Sequence, residues 1–117
     1  MDELAIAAMF LALSETGSNA SSYYADSVKW YYSGSLASLL QPGQETVFNW
    51  DSKTPGVPLL GVALANAYPN VVSGSNTTLS TWQTALENYF NVFINKNGRS
   101  FMTQGECMPS CFCAVMC

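Results

Sequence analysis

The chain has 117 residues, 49% of them apolar, with 4 basic against 8 acidic residues and a net charge of -4. That is the length of one ordinary domain with ample apolar content for a core, and it excludes a disordered chain; with no run of Lys or Arg to track a phosphate backbone, it excludes a nucleic-acid binder as well. There is no histidine, which removes the commonest general base, the commonest metal ligand and every Ser-His or Cys-His nucleophile, so any catalysis would run on carboxylates.

Asp2 to Ser14 reads as a first helix. Leu4, Ile6, Ala7, Ala8, Met9, Phe10, Leu11 and Leu13 leave it no wide polar face, and Gly17 follows as a stop. Such a helix is expected to be buried on most sides. Its apolar run from Leu4 to Leu13 follows acidic rather than basic residues and is too short to span a bilayer, so neither a signal peptide nor a membrane anchor is read there. Asp2 and Glu3 already occupy the first turn, as though the chain began where a longer protein is already folded.

Ser21 or Ser22 can cap a second helix running to about Ser33, with Tyr24, Val28, Tyr31 and Tyr32 near one face and Gly34 at its end. A polar linker from Gly34 to Thr46 contains Pro42-Gly43. It leads into Phe48-Asn49-Trp50-Asp51-Ser52-Lys53-Thr54-Pro55-Gly56, an aromatic pair and a carboxylate set directly before a helix start. Thr54 suits the cap and Pro55 the first position of a third helix to about Tyr68. That helix is again apolar nearly all round and is expected to be buried, with Pro69 ending it. After a Gly/Ser/Asn loop, Ser80-Thr81-Trp82-Gln83 fits a capping box. It opens a fourth helix, whose Trp82, Ala85, Leu86, Tyr89, Phe90 and Phe93 keep helical spacing until Asn97-Gly98.

The alternation of buried and amphipathic helices, with no alternating strand, predicts an all-α chain of two αα-hairpins. Such hairpins belong to an α/α barrel or a helical solenoid. The ending differs from the rest: Cys107, Cys111, Cys113 and Cys117 stand in a C-x3-C-x-C-x3-C tail. This spacing is not the pair of C-x2-C knuckles of a zinc ribbon, and no helix or strand signal frames it.

Asp51 is open to three readings: a catalytic base, a metal ligand, or a loop-anchoring cap. Asp2 and Glu3 either complement the positive end of their helix or converge with Asp51 on a hard cation such as calcium. The aromatic clusters Tyr23-Tyr24, Trp30-Tyr31-Tyr32 and Trp82/Tyr89/Phe90 are either hairpin packing, the commoner role, or sugar-stacking platforms. Two glycosylation sequons, Asn19-Ala20-Ser21 and Asn76-Thr77-Thr78, are no more than nine asparagines in a Ser/Thr-rich chain produce by chance.

Three short motifs together carry a resemblance. Asp2-Glu3-Leu4-Ala5 opens an inner helix; Phe48-Asn49-Trp50-Asp51-Ser52-Lys53 is followed by Gly56 and Leu59-Leu60; and Asn97-Gly98 precedes Phe101-Met102-Thr103-Gln104-Gly105. In this order and spacing they resemble the middle of a glycoside hydrolase family 9 catalytic module, over about residues 2 to 105. The family consists largely of endo-β-1,4-glucanases, or cellulases, built as six-hairpin α/α barrels. The resemblance implies a partial module over residues 1–105, with residues 106–117 a cysteine-rich tail outside the fold. It implies Asp2, Glu3 and Asp51 as ligands of a structural calcium ion, a β-1,4-glucan substrate and an extracellular parent protein.

The family's inverting chemistry uses an aspartate base near the start of the module and a glutamate acid near its end. Neither motif stands in this chain, nor does the family's histidine-bearing region. No catalytic residue is therefore assigned, and the isolated chain is expected to be inactive and poorly soluble or molten. After Gly105 the family continues with a further glycine and an apolar stretch. Here Glu106-Cys107-Met108-Pro109 follow, as an intron-derived, out-of-frame or alternatively spliced end would give. Two other readings stay open: a small helical-hairpin binding module, and a metal or redox protein built on the cysteine tail.

Overall fold

The computed structural model describes residues 1–15, 17–41, 48 and 52–94. The described residues are helical, with α1 over Asp2–Ser14, α2 over Ala20–Ser33, α3 over Gly56–Ala67, α4 over Pro69–Val72 and α5 over Leu79–Ile94; a 3-10 turn spans Leu36–Leu40. No strand occurs among them, and none of these helices is long and apolar enough to cross a membrane. The all-α reading holds.

Helix α1 packs on α2 as one antiparallel hairpin and α3 packs on α5 as the other, while α1 and α3 lie against each other. Gly56 permits close approach at the start of that inner contact, for a Cβ there would stand 3.1 Å from Cδ1 of Ile6 and 3.4 Å from a ring carbon of Phe48. Met9, Val57, Leu64 and Trp82 form the fully enclosed centre of the core, with Tyr24, Tyr31, Leu36, Leu40 and Tyr89 around them. Trp82 is the largest enclosed side chain. Its ring lies flat against the backbone of α3 at Gly61, where a Cβ would fall 2.6 to 2.7 Å from the indole carbons. Tyr31 meets the same indole edge-on, with ring centroids 5.1 Å apart, an arrangement favoured by the aromatic quadrupoles.

Polar groups buried between the helices are paired. Ser27 Oγ, fully enclosed, donates to the Ala5 carbonyl at 2.7 Å and ties α2 to α1. Trp82 Nε1–H donates to the Tyr24 hydroxyl at 3.1 Å, and that hydroxyl donates to the Thr77 carbonyl. This chain of donors joins α5, α2 and the loop before α5, since each buried donor needs an acceptor that the apolar core does not supply. Burial raises the Tyr24 pKa, partly offset by the Trp82 bond, and burial raises that of Tyr31.

Several local expectations are corrected. Helix α3 begins at Gly56, with Pro55 in the cap position and no side-chain cap from Thr54. The Lys53 and Thr54 carbonyls instead accept from Gly56 N–H and Val57 N–H at 2.8 and 3.1 Å, so a backbone turn satisfies the first donors. The capping box expected at Ser80 does not form there: α5 starts at Leu79, and Thr81 Oγ1 accepts from Thr78 N–H at 3.2 Å, which is one half of such a box, in the role that Glu or Gln fills in the standard motif. Pro69 ends α3 but also starts α4, where a missing N–H costs nothing. The polar linker after Gly34 contains the 3-10 turn, held by buried Leu36 and Leu40.

Helix α3 is largely buried, as expected, with Leu59 as its main exposed apolar residue, whereas α1 is not buried on most sides. Leu4, Phe10 and Leu11 of α1 are 50%, 57% and 48% exposed, and Leu59 of α3 is 56% exposed. A helix flanked by only two neighbours keeps a further side open, and in α1 that side is apolar.

Candidate functional site

The described residues bring α1 and the loop before α3 together through Asp2. Its position at the first turn is where a carboxylate is favoured by the unpaired N–H groups and the helix dipole. Asp2 Oδ2 accepts from the Lys53 backbone N–H at 2.7 Å, and Oδ1 accepts from Glu3 N–H at 3.1 Å. Glu3 reaches the same loop, with its Oε1 3.5 Å from Lys53 Nζ. A contact across 51 residues of sequence thus holds the loop against the start of α1.

Burial pushes the Asp2 carboxyl up, but the N–H of Lys53 and the contacts with Glu3 outweigh it and hold the group below its ordinary value. Hydrogen bonds to the charged form favour that form, so Asp2 is an anion throughout the neutral range. The Glu3–Lys53 pair is exposed and adds little to stability, since solvent screens it.

Of the three residues expected at a cation site, Asp2 and Glu3 are adjacent on the first turn and both touch the loop that follows Asp51 in sequence. Asp51 itself lies outside the described residues, as do Asn49 and Trp50, the motif from Asn97 to Gly105 and the four cysteines. Among the described residues no three Asp, Glu, Cys or His side chains gather as a metal cage. The donors present are hard carboxylate oxygens, the class that suits calcium, and each Asp2 oxygen has lone-pair capacity beyond its one N–H bond.

Of the aromatic clusters, Tyr24, Tyr31, Trp82 and Tyr89 are buried packing residues, whereas Tyr32 and Phe90 stand 47% and 46% exposed. Ser27 and Thr77 were missed by sequence reasoning. A serine within a helical pattern carries no signal that distinguishes an enclosed crosslink from a solvated face, and only the structure supplies its partner.

The model of glycosyl hydrolase family 9 matches residues 1–111. Comparisons with curated proteins and with solved structures give no match.

Proposed function

The chain belongs to glycosyl hydrolase family 9, and from that membership we propose that it is a stretch of an endo-β-1,4-glucanase module that hydrolyses β-1,4-glucan with inversion. The observation that carries the reading is the family match over nearly the whole chain. In this reading the two hairpins are consecutive inner and outer helix pairs of an α/α barrel wall, with α1 and α3 inside. The acid and base carboxylates come from parts of the module outside this sequence, and the chain alone is inactive. The parent enzyme works outside the cell.

Asp2, Glu3 and Asp51 hold a structural calcium ion in the same reading. Support comes from the Asp2 bond to Lys53 N–H, which brings the first turn of α1 to the loop that carries Asp51. The role of the ion is to neutralise the Asp2, Glu3 and Asp51 carboxylates, not to take part in bond cleavage.

The test is to sequence the transcript through both ends of this reading frame, express the complete product and assay it on β-1,4- and β-1,3-glucans. Release of reducing ends from β-1,4-glucan is expected, with none from the 117-residue chain under the same conditions. A complete product inert on β-1,4-glucan refutes the glucanase reading, and activity of the short chain refutes its inactivity. For calcium, hydrogen exchange at the Lys53 amide should slow on adding calcium to the chain and stay unchanged in D51N. No calcium effect on the unaltered chain removes the ion from the proposal.

A further inference from the structure

We propose that Asn76 is an N-glycosylation site, making the pole where the two hairpin turns meet the sugar-bearing end of the molecule. The proposal rests on the extracellular reading above, because the modifying machinery is found only in the secretory route. By count alone the sequons mean little, but three features of the fold bear on Asn76.

The first is its setting. Asn76 stands exposed on a bend between α4 and α5, and its side-chain amide makes no hydrogen bond among the described residues. A glycan there displaces no packed group. The second is how firmly the flanks are held. Thr77 is buried, its carbonyl accepts from the Tyr24 hydroxyl, and its N–H donates to Ser75 Oγ at 3.1 Å. Thr78 N–H is held by Thr81 Oγ1 at 3.2 Å. The side chain of Asn76 therefore projects outward from a loop fixed on both sides.

The third is the position in the fold. The Asp2–Lys53 contact puts the starts of α1 and α3 at one end, so the α1–α2 and α3–α5 connections lie at the other. Ser21 Oγ and the Val71 carbonyl, 3.5 Å apart, bring those two connections together. The second sequon, at exposed Asn19, is on this same pole. A branched polar sugar here stays clear of the Asp2–Lys53 junction and adds a hydrated cover to one end of the chain.

In the transfer, the Asn76 amide nitrogen forms a bond to C1 of an oligosaccharide carried on a lipid diphosphate. The C1–oxygen bond breaks, the lipid diphosphate leaves with the electron pair, and the amide loses one proton. The acceptor pattern requires a hydroxyl two residues on, which Thr78 supplies.

The chain is expressed in yeast behind a cleavable secretion leader and followed in medium and total cell extract, because transfer precedes folding. A slower-migrating form should appear and collapse to the unmodified mass with peptide-N-glycosidase F. N76Q and T78A should each remove this step, the latter with the asparagine still present, while T78S and N19Q keep it. A chain found only unmodified, or N19Q and N19Q/N76Q chains that migrate alike, overturns the assignment. Because the leader supplies export, a negative result counts against Asn76 alone; the extracellular reading is tested separately, by the compartment in which the native product is found.

Discussion

Replacing Gly61 by alanine should loosen the joint between α3 and α5. Two effects oppose each other. Alanine is the better helix former, by about 1 kcal/mol in a helix interior. Against this, the added methyl would sit 2.6 Å from Cδ2 and 2.7 Å from Cε2 and Cγ of Trp82, roughly an ångström inside an ordinary carbon contact. The ring has little freedom to retreat, because it is fully enclosed, Tyr31 meets it edge-on and its N–H is bonded to Tyr24. Overpacking a core typically costs about 1–3 kcal/mol, and a rigid ring met face-on belongs at the upper end. The net expectation is a loss of about 2 kcal/mol, or about 30-fold in hydrogen-exchange protection. Exchange of the Trp82 indole proton and of the α3 and α5 amides reads this directly, with Gly56 left unaltered. Protection equal to or greater than that of the unaltered chain would show that the ring can move aside, and the close-approach argument would fail.

Tyr24→Phe keeps the ring but strands the Trp82 N–H and the Thr77 carbonyl, and should cost about 1–3 kcal/mol; the Trp82 indole proton should then exchange faster than in Ser27→Ala, which removes one crosslink of about 1 kcal/mol. Equal exchange in the two variants would mean that the relay is not a unit. The Asp2 carboxyl lies below its ordinary value in the folded chain, so its contribution is fully present above the unfolded pKa of about 4 and is lost as pH falls through the lower folded value. Protection of the Lys53 amide, corrected for intrinsic exchange, should therefore hold from neutral pH to about 5 and decline on further acidification; a decline already complete at pH 5 contradicts this sign, and D2N should show no such step. The open side of α1 should bind a hydrophobic dye and promote self-association, and Leu4→Glu with Leu11→Gln should reduce both, measured by dye fluorescence and sedimentation; unchanged association would place the sticky surface elsewhere.

The helices were legible because their apolar spacing and stops are local properties. The boundaries of α1 and the extent of α2 follow from them, as does the pairing into hairpins. The caps were less so: Thr54 and Ser80 each had suitable chemistry, yet a backbone turn and the Thr78/Thr81 pair took their places. Capping is a competition among several nearby polar groups, and sequence names the candidates without ranking their geometry. Burial of α1 was misjudged for a different reason. Apolar content says that a face favours a partner, not that the partner lies within the same stretch of chain. At the candidate site, Asp2 and Glu3 were legible as residues, whereas the bond from Lys53 N–H to Asp2 depends on a contact across 51 residues that no local pattern encodes.

The two hairpins are joined by polar bonds at both poles, and the two joints differ in kind. At one pole a partly exposed carboxylate holds a backbone N–H of a loop, a bond to a charged group that acid or substitution can release. At the other, a neutral relay through Tyr24 is enclosed with Trp82, where no ordinary change of pH alters the charge. Tyr24 is held above its ordinary value by burial, so the relay stays neutral even in mildly alkaline solution. Adjustment is therefore concentrated at the Asp2–Lys53 end. There, a change at Asp2 alters the junction and leaves the Trp82 end as the fixed reference for both hairpins.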